Sequence, residues 1–250
     1  MRLAKAWTVA SKDFKTFRNK KSILYSILYF ESFVSIGMPF ILRFVANKPS
    51  GAVALPALIN AFSFFFVIGA ALTPVGVASY SLIGEKVQKS LEPLLATPTT
   101  DEEILAGKTI AAFLPAICAN WIGAVIFTVL VDVFTSHALN YLYYPNWDIV
   151  IILFLLAPLS CILSVGYNVL ISARANDVRT AQQLGTLIIL PLGAVYLLTE
   201  IGVLDLNTST LLIMAAALAA VESSSFSWLG QPSRGMKSSQ SGSEVLSARE

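Results

Sequence analysis

Glu31 is the one clearly ionisable residue inside a long apolar run of this 250-residue chain. A carboxylate at membrane depth is costly, so such a residue faces a bundle interior or a water-filled path. Glu31 is therefore a candidate pathway residue, with a structural, hydrogen-bonded glutamate as the plainer reading. One acid alone makes neither a proton relay nor a metal site. The single histidine, His137, leaves no paired imidazoles for zinc, and it falls in an expected outer loop. Cys118 and Cys161 lie in apolar runs and read as small buried hydrophobes. The tripeptide Gly107-Lys108-Thr109 echoes the end of a phosphate-binding loop, which requires a glycine five positions earlier, where this chain has Glu102. An intramembrane enzyme would need clustered acids, histidines or a Ser/Lys pair, and Glu31 by itself is insufficient.

The elements that hold these residues are spelled out by composition. Hydrophobic residues make up 56% of the chain, charged residues only 13%, and the mean hydropathy is +0.71. Soluble domains average about 45–50% apolar residues. A helix needs about 20 mostly apolar residues to cross a bilayer, because each residue rises about 1.5 Å and every backbone polar group must be satisfied within the segment. Six segments qualify, the last marginally: 22–46, 55–83, 109–132, 148–172, 183–200 and 209–228. The expected fold is an all-α integral membrane protein. No cleavable leader is expected, since the first 21 residues carry seven Lys or Arg and no central apolar block.

Those seven, with Lys86, Lys89, Lys108, Arg174, Arg179, Arg234, Lys237 and Arg249, put 15 of the 17 basic residues on one side of the expected topology. Only Arg43 and Lys48 fall on the other. By the positive-inside rule both termini are then cytoplasmic. The formal charge of +2 reports sidedness and gives no reason to expect nucleic acid. Tyr141, Tyr143, Tyr144 and Trp147 fit an outer aromatic belt.

Residues 1–21 have a different pattern. Leu3, Trp7, Ala10, Phe14 and Phe17 share one helical face, interleaved with Lys5, Lys12, Asp13, Lys15 and Arg18. This reads as an amphipathic helix lying in the membrane interface, with a soluble-facing cap packed on its own protein as the plainer alternative. The first five spans each contain a proline (Pro39, Pro74, Pro115, Pro158 and Pro191), with Pro56 near the start of the second. Each removes a backbone donor and tends to kink its helix.

Between the second and third spans stands a polar island, residues 84–108, GEKVQKSLEPLLATPTTDEEILAGK, in which eight of 25 residues are charged. Val87, Leu91, Leu94 and Leu95 make a narrow apolar stripe, and Glu85–Lys89 is a supportive i,i+4 pair. Pro93 interrupts the helix, and Pro98 closes the piece. Thr100 and Glu103 then form a capping box with Asp101 and Glu102 in the first turn, so a new helix starts near Thr100. Leucines in so short a finger have no core of their own to join; helix-in-groove docking on a soluble partner accounts for them, with a loop folded back on the membrane surface as the plainer alternative.

The stretch Glu85-Lys86, Ser90-Leu91-Glu92-Pro93-Leu94-Leu95-Ala96-Thr97-Pro98, Glu103-Ile104-Leu105 and Gly107-Lys108 resembles the signature segment of ABC-2 type transporter permeases. The N-terminal helix is similar to that family's elbow helix, and residues 173–191 resemble its second cytoplasmic turn. The resemblance implies an ABC-2 (type V exporter-like) transmembrane domain of six helices over 22–228, an exporter subunit in the cell membrane. It implies pairing with a second permease copy or paralogue and with a separate ABC ATPase subunit, which binds the ATP and magnesium; this chain binds no cofactor. Coupling to the ATPase then falls to Glu85, Lys89, Leu91, Glu92, Pro93, Leu94, Leu95 and Pro98. Arg174, Asp177 and Arg179 form a possible second cytoplasmic contact, with helical pairing of Arg174 and Asp177 as the alternative. An ion-coupled secondary transporter is the competing reading, but it would carry internal repeats and paired ionisable sites.

The end of the chain departs from the family pattern. Ten of the last 29 residues are serine, and 229–250 read as a disordered tail. A disrupted reading frame or a fusion scar would produce such an ending.

Overall fold

A backbone in hydrocarbon must pair its own polar groups, so long apolar runs are driven into helices. In the computed structural model, which describes residues 3–19, 21–48, 51–87, 101–175 and 177–229, every regular element is helical. The elements are α1 (Leu3–Asn19), α2 (Lys21–Ser32), α3 (Met38–Ala46), α4 (Gly51–Val87), α5 (Asp101–Leu139), α6 (Trp147–Ile151), α7 (Ala157–Arg174), α8 (Val178–Gly185), α9 (Ile189–Glu200) and α10 (Thr208–Leu229). Among the described residues, five stretches are long and apolar enough to span a membrane: Ile27–Ala46, Gly51–Tyr80, Ala106–Leu139, Trp147–Ser172 and Val178–Thr199. A shorter apolar helix, Thr208–Ser224, follows. The chain is an all-α, multi-pass membrane protein.

The prolines act in two ways. Phe33–Gly37 and Ile152–Leu156 are π-helical turns that each end two residues before a proline, Pro39 and Pro158. A proline ring clashes with the carbonyl four residues back, and opening the turn to i→i+5 relieves it. Pro74 and Pro115, by contrast, sit within the continuous helices α4 and α5.

The central element is α4, against which α5, α7 and α9 pack. Its fully buried Phe64 and Phe66 meet Phe127 of α5, Leu156 before α7 and Leu211 of α10 in one core. The Phe66 and Phe127 rings lie edge to face, 5.2 Å apart.

Two expectations change at the Leu139 end of α5. The helix that holds the third span continues past 132 to Leu139, so His137 occupies the last helical turn and not a loop. Asp132 makes this possible, because its Oδ1 accepts the backbone N–H groups of Tyr143 and Tyr144 at 2.9 and 3.1 Å and folds the loop back. The aromatic belt then keeps only two of its four residues at the surface. Tyr141 and Trp147 are exposed, while Tyr144 is buried with its hydroxyl on Ser63 and Tyr143 reaches Asn60 at 2.8 Å. Hydrogen-bond partners on α4 draw the phenols inward.

Candidate functional site

The polar island is framed by two long helices. The 37-residue α4 carries Glu85 on its last turn, and the 39-residue α5 begins at Asp101, beside the expected Thr100 cap. Lys89, Leu91, Glu92, Pro93, Leu94, Leu95 and Pro98 lie outside the described residues.

The base of the island is described and tightly built. A side chain at Gly107 of α5 would place its first carbon 2.6 Å from the Ala6 carbonyl oxygen and 2.7 Å from Val9 Cβ of α1. Only glycine permits that approach. One residue on, the Lys108 ammonium lies 4.0 Å from the Asp13 carboxylate, both side chains nearly buried. The Gly107-Lys108 pair at the end of the island therefore fastens α1 to α5. Ala10 and Phe17 of the apolar face read from the sequence take part in this contact. Ala6, Val9, Ala10, Asp13 and Phe17 are buried, whereas Trp7 is exposed. Small residues, rather than the largest aromatic, form the contact because the two backbones come so close.

On the turn after α7, the helix breaks at Ala175 between Arg174 and Asp177, so i,i+3 helical pairing of those two does not apply. Asp177 instead caps α8. Its carboxylate accepts Thr180 N–H at 2.7 Å and Thr180 Oγ1–H at 2.6 Å. Those bonds, the side-chain bond foremost, hold its pKa below the usual aspartate range. Arg179 is exposed one residue into α8. The other end of α8 is seated by Gly185, where a side chain would collide with Asn168 Oδ1 at 2.4 Å. Asn168 is held in turn by Ser79 Oγ at 3.1 Å and the Ser164 carbonyl at 2.9 Å.

Glu31 lies deeper, on the last turn of α2, and is 4% exposed. Its Oε1 accepts Asn120 Nδ2 of α5 at 3.1 Å and Thr73 Oγ1 of α4 at 3.3 Å. Asn120 Nδ2 also donates to the Phe66 carbonyl at 3.0 Å, which fixes which way its amide faces. Two glycines make room. A side chain at Gly69 would stand 2.9 Å from Glu31 Oε1, and one at Gly123 would stand 2.5 Å from Ser35 Oγ and 3.3 Å from Glu31 Oε2. Glu31 thus joins three spans at a point closed to the surroundings. Sequence reasoning found the acid and missed Asn120, Gly69 and Gly123. The available signal was a buried amide in an otherwise apolar run.

A family profile described as ABC-2 family transporter protein matches residues 7–213. No curated protein matches the chain.

Proposed function

The chain belongs to the ABC-2 transporter family, and we propose that it is the membrane-spanning permease of an ATP-driven exporter whose energy comes from a separate ATPase subunit. The island, through Leu91, Leu94 and Leu95 with Pro93 and Pro98 setting its turn, docks in a groove of that ATPase; Glu85, Lys89 and Glu92 make rim contacts. Arg174, Asp177 and Arg179 form the second, weaker contact. ATP and magnesium reside on the ATPase. Two permeases, this chain with itself or with a paralogue, enclose the pathway in the cell membrane, and the N-terminus is cytoplasmic.

One observation carries this reading. The island joins two continuous helices that project beyond their apolar spans, α4 to Val87 and α5 from Asp101. A displacement at residues 88–100 is therefore delivered by stiff levers to the packed interior. The α1 clasp at Gly107 and Lys108 moves with α5 as part of the same body. The membrane setting, the family and the bias of basic residues support the orientation.

Gentle affinity purification from native membranes tests it, beside a variant with residues 91–95 replaced by Gly and Ser. An ATPase that copurifies with the native chain and is lost with the variant is the expected result. A stably inserted native chain that brings no ATPase would remove the docking assignment.

A further inference from the structure

Between α7, α9 and α10 lies a cavity of about 470 Å³ that reaches Thr109 at the start of α5's span. Its walls are almost wholly apolar, with Leu163, Leu192 and Leu218 prominent. Ile162, Pro191, Ala217 and Val221 are exposed at its rim, so the cavity opens sideways within the spanning region. The lining contains no basic residue and one acid, Glu222 of α10. The Glu222 carboxylate reaches the Leu163 backbone, yet its Oε1 is buried without a hydrogen-bond partner among the described residues. Gly166 of α7 also lines the space, and a side chain added there meets nothing within 4 Å.

These features constrain the occupant. The volume falls in the range of small-molecule sites, which are mostly apolar with a few placed polar groups. A hydrophilic solute finds few polar partners along the wall, with only Thr109, Tyr167 and Glu222 among the lining residues. An anionic head finds no cation, whereas a cationic head finds Glu222 in surroundings of low dielectric. Hydrocarbon gains little by leaving lipid for a cavity as apolar as the lipid itself. Selectivity must therefore come from the head. We infer that this cavity binds an amphiphile of the lipophilic-amine class, one apolar tail with a cationic head paired to Glu222. The proposed function names no substrate, and this inference adds a ligand class to it. Binding is read without nucleotide or ATPase, so its failure leaves the permease reading standing.

The experiment uses the full chain in lipid nanodiscs, with empty discs as the partition control, and three labelled probes that share one tail: dodecylammonium, dodecanol and dodecyl sulfate. Saturable binding of dodecylammonium above the empty-disc level is expected, with dodecanol weaker and dodecyl sulfate at background. Glu222→Gln should weaken dodecylammonium roughly tenfold, toward dodecanol, by removing a charge-assisted contact. Gly166→Phe fills the open space and should weaken saturable binding of both probes. Monodisperse elution shows that each variant is folded; if Gly166→Phe fails that control, Glu222→Gln decides. Binding that never saturates, dodecyl sulfate bound as well as dodecylammonium, or dodecylammonium unaffected by Glu222→Gln would each overturn the inference. A cavity filled by a neighbouring copy would register as the first of these.

Discussion

Asn120 donates its amide to Glu31 across 89 positions of sequence, at 3.1 Å, inside the membrane-spanning bundle. With Thr73 on the same oxygen, the first three spans meet at one carboxyl group. Interhelical hydrogen bonds in membranes average about 0.6 kcal/mol each, so the cluster contributes by number and by the space that it fills. Glu31→Ala removes both bonds and leaves a cavity, and should cost roughly 2–3 kcal/mol. Glu31→Gln keeps an acceptor oxygen and the same shape, and should cost under about 1 kcal/mol. Thermal unfolding in detergent separates the two variants, and equal losses would show that the carboxyl charge, not the hydrogen bonds, matters.

The clasp between α1 and α5 makes a second prediction. Gly107→Val places branched carbons where Ala6 and Val9 already stand and should lift α1 away. Amide exchange over Leu3–Asn19 would rise while the spans stay protected. Lys108→Ala leaves the Asp13 carboxylate without that partner and should cost about 3 kcal/mol, as the loss of one member of a buried pair does. Unchanged exchange in both variants would mean that α1 is held by lipid and not by α5.

Docking of the island has its own point test. Leu95→Arg is expected to abolish copurification of the ATPase without altering membrane insertion, because a charge replaces an apolar anchor. Normal copurification with that variant would argue that Leu95 faces away from the partner.

The loop that carries Tyr143 and Tyr144 should be sensitive to alkali. Burial, then the neighbouring Asp148 and Tyr141, pushes the Tyr143 phenol from 10.0 up to about 12. The unfolded chain therefore releases this proton first. Stability from the group is complete below pH about 10 and is lost as pH rises toward 12. Burial raises the Tyr144 phenol as well, so its contribution has the same sign. Melting temperatures measured from pH 8 to 11 should fall at the upper end, and Tyr143→Phe should flatten that fall. A Tyr143→Phe profile parallel to the native one would assign the sensitivity elsewhere.

What the sequence by itself determined is the membrane class, the all-α fold, and the polar composition of the segment between the second and third apolar runs. Each depends on local quantities, on apolar length and on charge, and the backbone's need to bond internally converts them into helices. The π turns before Pro39 and Pro158 belong partly here, since the proline that opens them is local.

Tertiary structure alone decided which helix faces meet. A helix that is apolar all round carries no stripe to mark its buried side, so nothing local could pair Glu31 with Asn120 or set Gly69 and Gly123 around it. The same reason hid Gly107's role. In sequence it closes the island, and only the approach of the α1 backbone shows why a side chain cannot stand there. α1 carried an amphipathic pattern, and its tertiary contacts added Ala6 and Val9 to Ala10 and Phe17 of that pattern, because close contact selects small residues. The cavity beside Glu222 is likewise a property of three helices at once. No single stretch of sequence encloses a volume.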